Sequence, residues 1–325
     1  MGRVTVRRPV LTLSAQGERR RVDALAGEEP LELRVGGRAL AVTMRTPGHD
    51  VELAHGFLLS EAVISHRSDV QAARFCADSP GRSRSLETYR GKRPSDSSDM
   101  SPERALAEER GRAEERALAE ERGRSYNVLD VELARGVPAP AASAQRNFYT
   151  TSSCGVCGKT SLDAVRLRTR YPPAADPVTV TAATLATLPD ALRAAQRVFE
   201  VTGGLHAAGL FTAHGDLLVA REDVGRHNAV DKVLGWALLA QRIPAAGCIL
   251  MVSGRASFEL VQKAVMAGVP MLAAVSAPSS LAVELAVDAG LTLIGFLRGH
   301  SMNVYAGQQR IERTASGNRS LCEPA

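Results

Sequence analysis

Aromatic side chains are scarce in this sequence: Phe, Trp and Tyr together make up 4% of the 325 residues. Proteins that bind single-stranded nucleic acid stack the bases on such side chains, so the scarcity argues against that class. The net charge of +5 is also small, which suits an anionic small molecule or an acidic partner better than a nucleic acid. We therefore expect no nucleic-acid partner.

Long apolar runs are missing as well. The longest, at residues 248–252 and 291–297, are far shorter than the ~20 residues that a membrane-spanning helix needs. The N-terminus has basic residues but no apolar stretch of signal-peptide length. These absences predict a cytoplasmic protein without a membrane partner.

Two common motif classes are also absent. The sequence has no Walker pattern and no GxGxxG pattern, which argues against nucleotide hydrolysis and ordinary dinucleotide binding. Its five cysteines are odd in number and lack the spacing of a disulfide framework. In a reducing compartment they are expected to be buried or reactive thiols.

Composition divides the chain into parts. Residues 79–125 have almost no large apolar side chains and contain a ten-residue duplication, ERALAEERGR, at 103–112 and 115–124. Such a segment cannot offset the entropy of ordering by burial, so we predict a disordered surface insertion, with a partner-binding helix as the alternative. We expect a smaller β-rich N-terminal subdomain at residues 1–145, which includes the insertion, and a main domain at 146–325.

Local patterns in the N-terminal part predict three elements. Alternating apolar residues on both sides of Gly36-Gly37 predict a β-hairpin. Asp50, which follows a Thr-Pro-Gly break, is predicted to cap a helix. Residues 128–133 are expected to form a strand.

The main domain alternates strands and helices. Apolar strand patterns at 248–253, 271–276 and 291–296 are separated by two amphipathic helical patterns, which predicts an α/β fold with a largely parallel sheet. Ligands of such sheets collect at the carboxyl ends of the strands. Polar loops at 253–255, 276–280 and 298–301 follow those ends, so an anion pocket is one interpretation, and ordinary helix caps and turns are the other.

Two histidines are candidates for proton transfer. Arg226 and His227 precede a clear helical pattern, where they could bind an anion, and Asp231 lies one turn beyond and is expected to orient His227. His206 follows a Gly-Gly turn. For both histidines, a purely structural role is the alternative.

The most informative short motif is the pair Cys154 and Cys157, which is flanked by glycines and followed by Lys159. A nearby cation and a helix N-terminus both favour the reactive thiolate. A structural zinc site needs four ligands, the zinc-deaminase signature is incomplete, and a thioredoxin-like pair would lie early in a small domain. We therefore expect no metal and predict a thiolate that carries a group, with the second cysteine as a resolving or assisting partner.

Longer segments resemble the FdhD family, whose members are sulfur carriers required for formate dehydrogenase activity. The resemblance includes NFYTTSSCGVCGKTSLDAV (147–165), AREDVGRHNAVDKVLG (220–235) and GLTLIGFLRGHSMNVYAGQQRI (290–311). It extends over nearly the whole chain, apart from about a dozen residues at each end and the insertion. Motifs of this length are far more specific than a bare CxxC.

The resemblance implies a sulfurtransferase role in molybdenum cofactor biosynthesis. Such proteins accept sulfur from a cysteine desulfurase as a persulfide and pass it to the molybdenum cofactor, a bis-molybdopterin guanine dinucleotide, before it enters formate dehydrogenase. Cys154 corresponds to the persulfide cysteine and Cys157 to its assisting partner. The positions that correspond to the cofactor-binding segment are Phe296, Leu297, Arg298, Gly299, His300 and Ser301.

The resemblance further implies a main domain with the three-layer fold of cytidine deaminase, without its zinc chemistry, and a homodimer. Two other function classes stay open at this point. A thiol–disulfide oxidoreductase would form a reversible Cys154–Cys157 disulfide. A non-catalytic cofactor chaperone would work without either cysteine.

Overall fold

The structure, a computed structural model, describes residues 3–76, 127–140 and 169–312. The insertion at 79–125 and the segment with Cys154, Cys157 and Lys159 lie outside the described residues. The predictions made for those segments therefore stay predictions.

The described residues form fourteen strands and six α-helices. The strands are β1 (Thr5–Ser14), β2 (Gly17–Ala26), β3 (Glu29–Val35), β4 (Arg38–Arg45), β5 (Val70–Phe75), β6 (Val128–Leu133), β7 (Val180–Thr181), β8 (His206–Thr212), β9 (Leu217–Asp223), β10 (Cys248–Val252), β11 (Met271–Ala274), β12 (Thr292–Arg298), β13 (Ser301–Ala306) and β14 (Ile311–Glu312). The helices are α1 (Asp50–Ser60), α2 (Ala182–Ala195), α3 (Arg197–Thr202), α4 (Arg226–Leu239), α5 (Phe258–Met266) and α6 (Ser280–Ala289). None of these helices is long and apolar enough to cross a bilayer.

The largest sheet has six strands in the order β13-β12-β11-β10-β8-β9. β10, β11 and β12 are parallel, as predicted, but β8, β9 and β13 are antiparallel to the strands beside them. The prediction of a largely parallel sheet is therefore wrong for half of the strands. Tight turns at Gly215 and Gly299, with φ of 91° and 51°, reverse the chain between β8 and β9 and between β12 and β13, which accounts for two of the three antiparallel pairs.

Helices cover both faces of this sheet. Along β10, Leu250 and Val252 join the apolar core that contains α4 and α5, whereas Ile249 and Met251 join the core that contains α2. The fold is therefore mixed α/β. The specific likeness to the layers of cytidine deaminase stays a prediction.

The N-terminal part contributes a four-stranded sheet in the order β4-β3-β6-β5. The predicted hairpin is confirmed: Gly36 and Gly37, with φ of 58° and 76°, make the turn between β3 and β4. The predicted strand at residues 128–133 is β6. One continuous apolar core joins this sheet, α1, α4 and one face of the six-stranded sheet, and the proposed boundary at residues 145 and 146 stays a prediction.

Glycines let α1 and α4 approach each other until their backbones touch. A Cβ on Gly56 of α1 would overlap the carbonyl oxygen of Asp231. A Cβ on Gly235 of α4 would overlap the carbonyl oxygen of Glu52. Because glycine alone has no side chain, only glycine fits at these two contacts.

The start of α1 differs from its prediction. His49, with φ of 58°, is the residue before the helix, and Asp50 is its first residue and does not cap it. The carboxylate of Asp50 accepts a hydrogen bond from Nε of Arg45 over 2.8 Å. Arg45 is only 1% exposed, so its guanidinium needs a buried counter-charge, and Asp50 supplies it.

Candidate functional site at the carboxyl edge of the six-stranded sheet

The three polar loops that were predicted to converge lie side by side. They follow β10, β11 and β12 and form what we call the carboxyl edge, residues 253–257, 275–280 and 296–301. The amide of Ser276 donates to the carbonyl of Gly254 over 3.4 Å, and the amide of Phe296 donates to the carbonyl of Ser276 over 3.2 Å. Their convergence is confirmed, and their binding of an anion stays a prediction.

The predicted cofactor-binding segment forms the end of β12 and the turn into β13. Phe296 has φ of 52° and is 39% exposed, and pairing with β13 is irregular between Gly295 and Arg298. A non-glycine residue in this backbone region is uncommon and costs free energy, which is typical of functional sites. Leu297 is fully buried in the core, so its side chain anchors the segment. The residues that reach solvent are Phe296, Arg298, Gly299, His300 and Ser301.

A cavity of about 610 Å³ adjoins this segment, between α2, α3 and the carboxyl edge. Its size falls within the usual range for small-molecule sites. Nε of Arg298 donates to the carbonyl of Val275 over 3.3 Å, and Val275 lines the cavity, so the segment and the cavity are contiguous. Other lining residues are Arg193, Phe199, Gly204, His206 and Ser253.

Two cavity residues had no signal in the sequence. The Arg193 guanidinium lies 4.7 Å from the centre of the Phe199 ring, a cation–π contact. Both residues lie in the helical segment before β8, and there they fit an ordinary amphipathic pattern that does not mark them as functional. The only nearby signal in the sequence is the Gly-Gly turn that follows them, at residues 203–204.

His206 lies at the start of β8 and lines the cavity. Burial lowers its pKa, and the nearby Arg226 and His227 lower it further. Its imidazole is therefore neutral at neutral pH and can accept a proton. A Cβ on Gly254 would lie 3.5 Å from Nδ1 of His206, which places the imidazole against the loop that follows β10.

His227 lies in the first turn of α4, at the same edge. Its Nε2 is 3.8 Å from Oε2 of Glu259 and 3.5 Å from Oγ of Ser257. The interaction with His227 is the main reason why the pKa of Glu259 falls to about 2. The structure thus brings both candidate histidines to the carboxyl edge, with Glu259 ionised beside one of them.

The expectation that Asp231 orients His227 is wrong. Both oxygens of the Asp231 carboxylate accept from Nζ of Lys263 over 2.8 Å, and one also accepts from Oγ of Ser60 over 2.9 Å. Asp231 is 2% exposed, so this carboxylate needs a buried cation, and it finds Lys263 on α5 rather than the histidine one turn away.

Other charged residues of the 221–232 stretch hold the N-terminal part in place. Nζ of Lys232 lies 2.7 Å from Oδ2 of Asp223 and donates to the carbonyl of Thr46 over 2.9 Å. Asp223 in turn accepts from the amide of Thr46 over 3.1 Å. Arg221 binds both carboxylate oxygens of Glu52 on α1 over 2.6 and 2.8 Å. Most charged residues of this stretch are therefore structural, whereas Arg226 and His227 face the carboxyl edge.

A metal site was not expected, and the part of the chain that the structure describes contains no group of three His, Cys, Asp or Glu side chains able to hold a metal ion. This finding does not test the expectation, because Cys154 and Cys157 lie outside that part. The described cysteines, Cys76 and Cys248, form no disulfide.

Curated proteins similar to this chain are named "Sulfur carrier protein FdhD". The protein of Nocardia farcinica is 54% identical over 319 residues, 98% of this chain and 99% of its own. That of Streptomyces coelicolor is 52% identical over 97% of this chain and 99% of its own. That of Mycobacterium tuberculosis is 53% identical over 96% of this chain and 100% of its own.

A solved structure supports the fold. The crystal structure of a putative formate dehydrogenase accessory protein from Desulfotalea psychrophila matches 95% of this chain and 100% of its own, with a TM-score of 0.67 and 21% identity. The model of the FdhD/NarQ family matches residues 26–312. The resemblance found in the sequence is confirmed, and the chain belongs to the FdhD/NarQ family.

Proposed function

We propose that this protein is a sulfur carrier, a sulfurtransferase that takes sulfur from a cysteine desulfurase as a persulfide on Cys154. It passes this sulfur to the molybdenum cofactor, bis-molybdopterin guanine dinucleotide, before the cofactor enters formate dehydrogenase. Family membership and the names of the relatives support the sulfur-carrier role. The structural observation that carries the proposal is the exposed turn at residues 298–301, which borders the cavity at the carboxyl edge.

The chemistry of this turn suits the cofactor, which is cargo here. The planar guanidinium of Arg298 can bind a phosphate through two hydrogen bonds. Gly299 lets the backbone approach a ligand, and the exposed side chains of His300 and Ser301 offer further donors. The adjoining cavity of about 610 Å³ has room for a nucleotide-sized part of the cofactor.

Sulfur uptake is a thiol exchange. The Cys154 thiolate attacks the outer sulfur of the desulfurase persulfide, the S–S bond of that persulfide breaks, and the desulfurase cysteine leaves as a thiolate. Cys154 then carries the outer sulfur, and no external oxidant or reductant is needed. Lys159 and nearby backbone N–H groups stabilise the anionic persulfide.

Delivery uses the second cysteine. The Cys157 thiolate attacks the inner sulfur of the Cys154 persulfide, and the outer sulfur leaves as hydrosulfide, which the molybdenum centre accepts as a ligand. The two electrons come from the cysteines, which are left as a disulfide, and a cellular dithiol reduces this disulfide before the next cycle.

The experiment that tests the proposal is intact-protein mass spectrometry after incubation with a cysteine desulfurase and free cysteine, followed by peptide mapping. We expect one added sulfur on the Cys154–Cys157 peptide that reductant releases. Burial raises the pKa of the Cys248 thiol, so the Cys248 peptide serves as the internal control and gains none. A two-hydrogen loss that an oxidant produces without the desulfurase, with no added sulfur and no such loss when the desulfurase acts alone, would support an oxidoreductase, and an inert pair would support a non-catalytic chaperone.

A variant separates binding from transfer. Cys154→Ala is expected to retain cofactor binding at the carboxyl edge while formate dehydrogenase stays inactive. Activity of formate dehydrogenase with Cys154→Ala at the wild-type level would contradict the proposal.

A further inference from the structure

The first two strands form a separate ribbon. β1 and β2 pair with each other at ten register positions, from Thr5 with Ala26 to Ser14 with Gly17. Within the described ranges, no other strand pairs with them. A two-stranded sheet is only marginally stable on its own, and strands of ten residues extend about 33 Å. The ribbon (β1–β2, residues 5–26) therefore adds little to the stability of the fold, which suggests that it has another role.

One face of the ribbon carries exposed apolar side chains beside charged ones, since Arg20 and Glu18 are the register partners of Leu11 and Leu13. Pro9 and Val22 are register partners, and Leu11 and Leu13 follow Pro9 at every second position, so all four side chains share a face. Leu11 is 54% exposed, Leu13 68% and Val22 65%. Contiguous exposed apolar side chains of this kind are typical of a protein-binding surface.

The same ribbon is strongly basic. It contains five arginines against two acidic residues, a net charge of +3, out of +5 for the whole chain. The arginines are Arg7, Arg8, Arg19, Arg20 and Arg21, and all five are exposed. Charge complementarity therefore favours an acidic partner over a second copy of this basic ribbon.

The C-terminal end of the ribbon lies beside the cavity. Its last residue, Ala26, lies within 3.7 Å of the Cβ position of Gly204, and Gly204 lines the cavity. β2 also packs against α3, the helix that contributes Phe199 to the cavity wall. A protein bound along the ribbon is consequently held next to the cavity.

The family comparison separates the ribbon from the common part of the fold. The match to the family model begins at residue 26, where the ribbon ends. The match to the Nocardia farcinica protein spans 98% of the chain, so it includes most of the ribbon. This distribution fits a surface for a particular partner better than a part of the shared chemistry.

We propose that the ribbon face formed by Pro9, Leu11, Leu13 and Val22 docks the enzyme that receives the cofactor, through an acidic surface with an apolar strip. The inference rests on the proposed function. Under that function the cavity holds the cofactor, and handing over a cofactor requires the two protein surfaces to meet at the cavity. The receiving enzyme, rather than the sulfur donor, is therefore the partner that the ribbon is placed to hold.

The test uses the full chain with the double substitution Leu11→Ser and Val22→Thr. The matched control is Leu281→Ser with Val287→Thr on α6, where the wild-type side chains are 54% and 61% exposed. Binding to purified cofactor-free formate dehydrogenase from the same organism is measured by biolayer interferometry at low and high salt. We expect the ribbon variant to bind about tenfold more weakly, the control about as well as wild type, and wild-type binding to weaken with salt.

Other outcomes overturn the docking inference. These are unchanged binding of the ribbon variant, no binding of wild type to the enzyme, lost binding to the cysteine desulfurase or to DNA instead, or a changed oligomeric state in sedimentation. If the double variant does not fold, the single variant Leu13→Ser replaces it. The proposed function fails separately: wild type that gains no sulfur refutes it whatever the ribbon does, whereas sulfur loading with unchanged binding of the ribbon variant refutes only the docking inference.

Discussion

Helix α4 contributes to two regions that differ in the burial of their polar residues. In its first turn, Arg226 and His227 face the carboxyl edge. One and two turns later, Asp231 and Gly235 lie in the contacts with α5 and α1, and Lys232 pairs with Asp223 at the end of β9, so that both charges are buried and paired. The edge instead exposes its polar groups and holds Phe296 in a left-handed backbone conformation.

The difference shows how to separate structural charges from functional ones in the same stretch of sequence. A buried charge whose partners all belong to the protein contributes to the position of the chain. A polar group that solvent reaches, beside a cavity, is available to a ligand. Substitutions in the helix contact should therefore cost more stability than matched substitutions at the edge.

One glycine from each region gives the largest contrast. Gly56→Ala places a Cβ on the backbone of Asp231, so we expect a loss of about 4 kcal/mol or a chain that does not fold. Gly254→Ala at the edge adds only an ordinary contact of 3.5 Å with His206, and its stability should stay within about 0.5 kcal/mol of wild type. Urea unfolding measures both, and equal losses would remove the contrast.

The buried pair in the helix contact is expected to give the next largest effect. Lys263→Met leaves the Asp231 carboxylate buried without its cation, which should cost about 3–4 kcal/mol at neutral pH. Burial already raises the pKa of Asp231 and Lys263 lowers it, so the variant raises this pKa further. A raised carboxyl pKa means that the folded state binds the proton more tightly, so the variant becomes less stable as the pH rises through this pKa.

The measurement for this pair is urea unfolding at pH 5 and pH 8, with a larger loss expected at pH 8. The double variant Lys263→Met with Asp231→Asn is the control, since it removes both charges and should recover most of the stability. A double variant as unstable as Lys263→Met would show that the pair stabilises by packing alone.

Two carboxylates, one in each region, have the same lowered pKa. Burial alone would raise the pKa of Glu52, but hydrogen bonds from Arg221 and His49 lower it to about 2, and Glu259 at the edge also has a pKa of about 2. We expect Glu52→Gln to cost about 2 kcal/mol, because Arg221 is always charged and binds both oxygens. Glu259→Gln should cost about 1 kcal/mol or less, because its carboxylate lies 3.8 Å from Nε2 of His227, too far for a hydrogen bond.

The pH dependence of these variants follows from the direction of the shifts. A lowered carboxyl pKa contributes stability above the ordinary value and loses it as the pH falls toward 2. Thermal melts between pH 7 and pH 3 should therefore show both variants approaching wild type at acid pH. If Glu52→Gln and Glu259→Gln lose the same stability at pH 7, the ion pairs of the helix contact and of the edge contribute equally to stability, and this contrast between the regions is wrong.

Arg298→Ala is expected to have the smallest effect on stability, below about 0.5 kcal/mol, because the side chain is exposed and makes one hydrogen bond to Val275. Its effect on ligand binding should be large. Guanosine diphosphate, which contains the guanine and phosphate groups of the proposed cofactor, should bind about tenfold more weakly in isothermal titration calorimetry. Unchanged binding would place the phosphate elsewhere, and Arg255→Ala, on the neighbouring loop, would be examined next.

The sequence contained enough information for the elements that depend on local pattern. The Gly36-Gly37 hairpin, the three parallel strands and the helices between them follow from residue spacing and turn chemistry alone. The meeting of three loops at one edge follows from topology. The resemblance to a family was needed for the chemistry, because a CxxC pair by itself fits several functions.

The remaining features depend on contacts between distant residues. No local signal tells Asp231 to bind Lys263 rather than His227, because the choice depends on how α5 packs against α4. The cavity wall formed by Arg193 and Phe199 likewise appears only when α2 and α3 lie over the sheet. The ribbon has no clear signal in the sequence, because Pro9 and adjacent arginines interrupt the alternation of apolar and polar residues that is typical of a strand.

The contact between Thr46 and the Asp223–Lys232 pair has a consequence for recombination between relatives. The loop before α1 fixes the end of β9, and from there Gly225, Arg226 and His227 enter the carboxyl edge. A chimera that takes its first 145 residues from one relative and the remainder from another inherits the edge from one parent and its support from the other. Such hybrids should work only when both parents carry matching residues at this contact, so the two parts of the chain are constrained to evolve together.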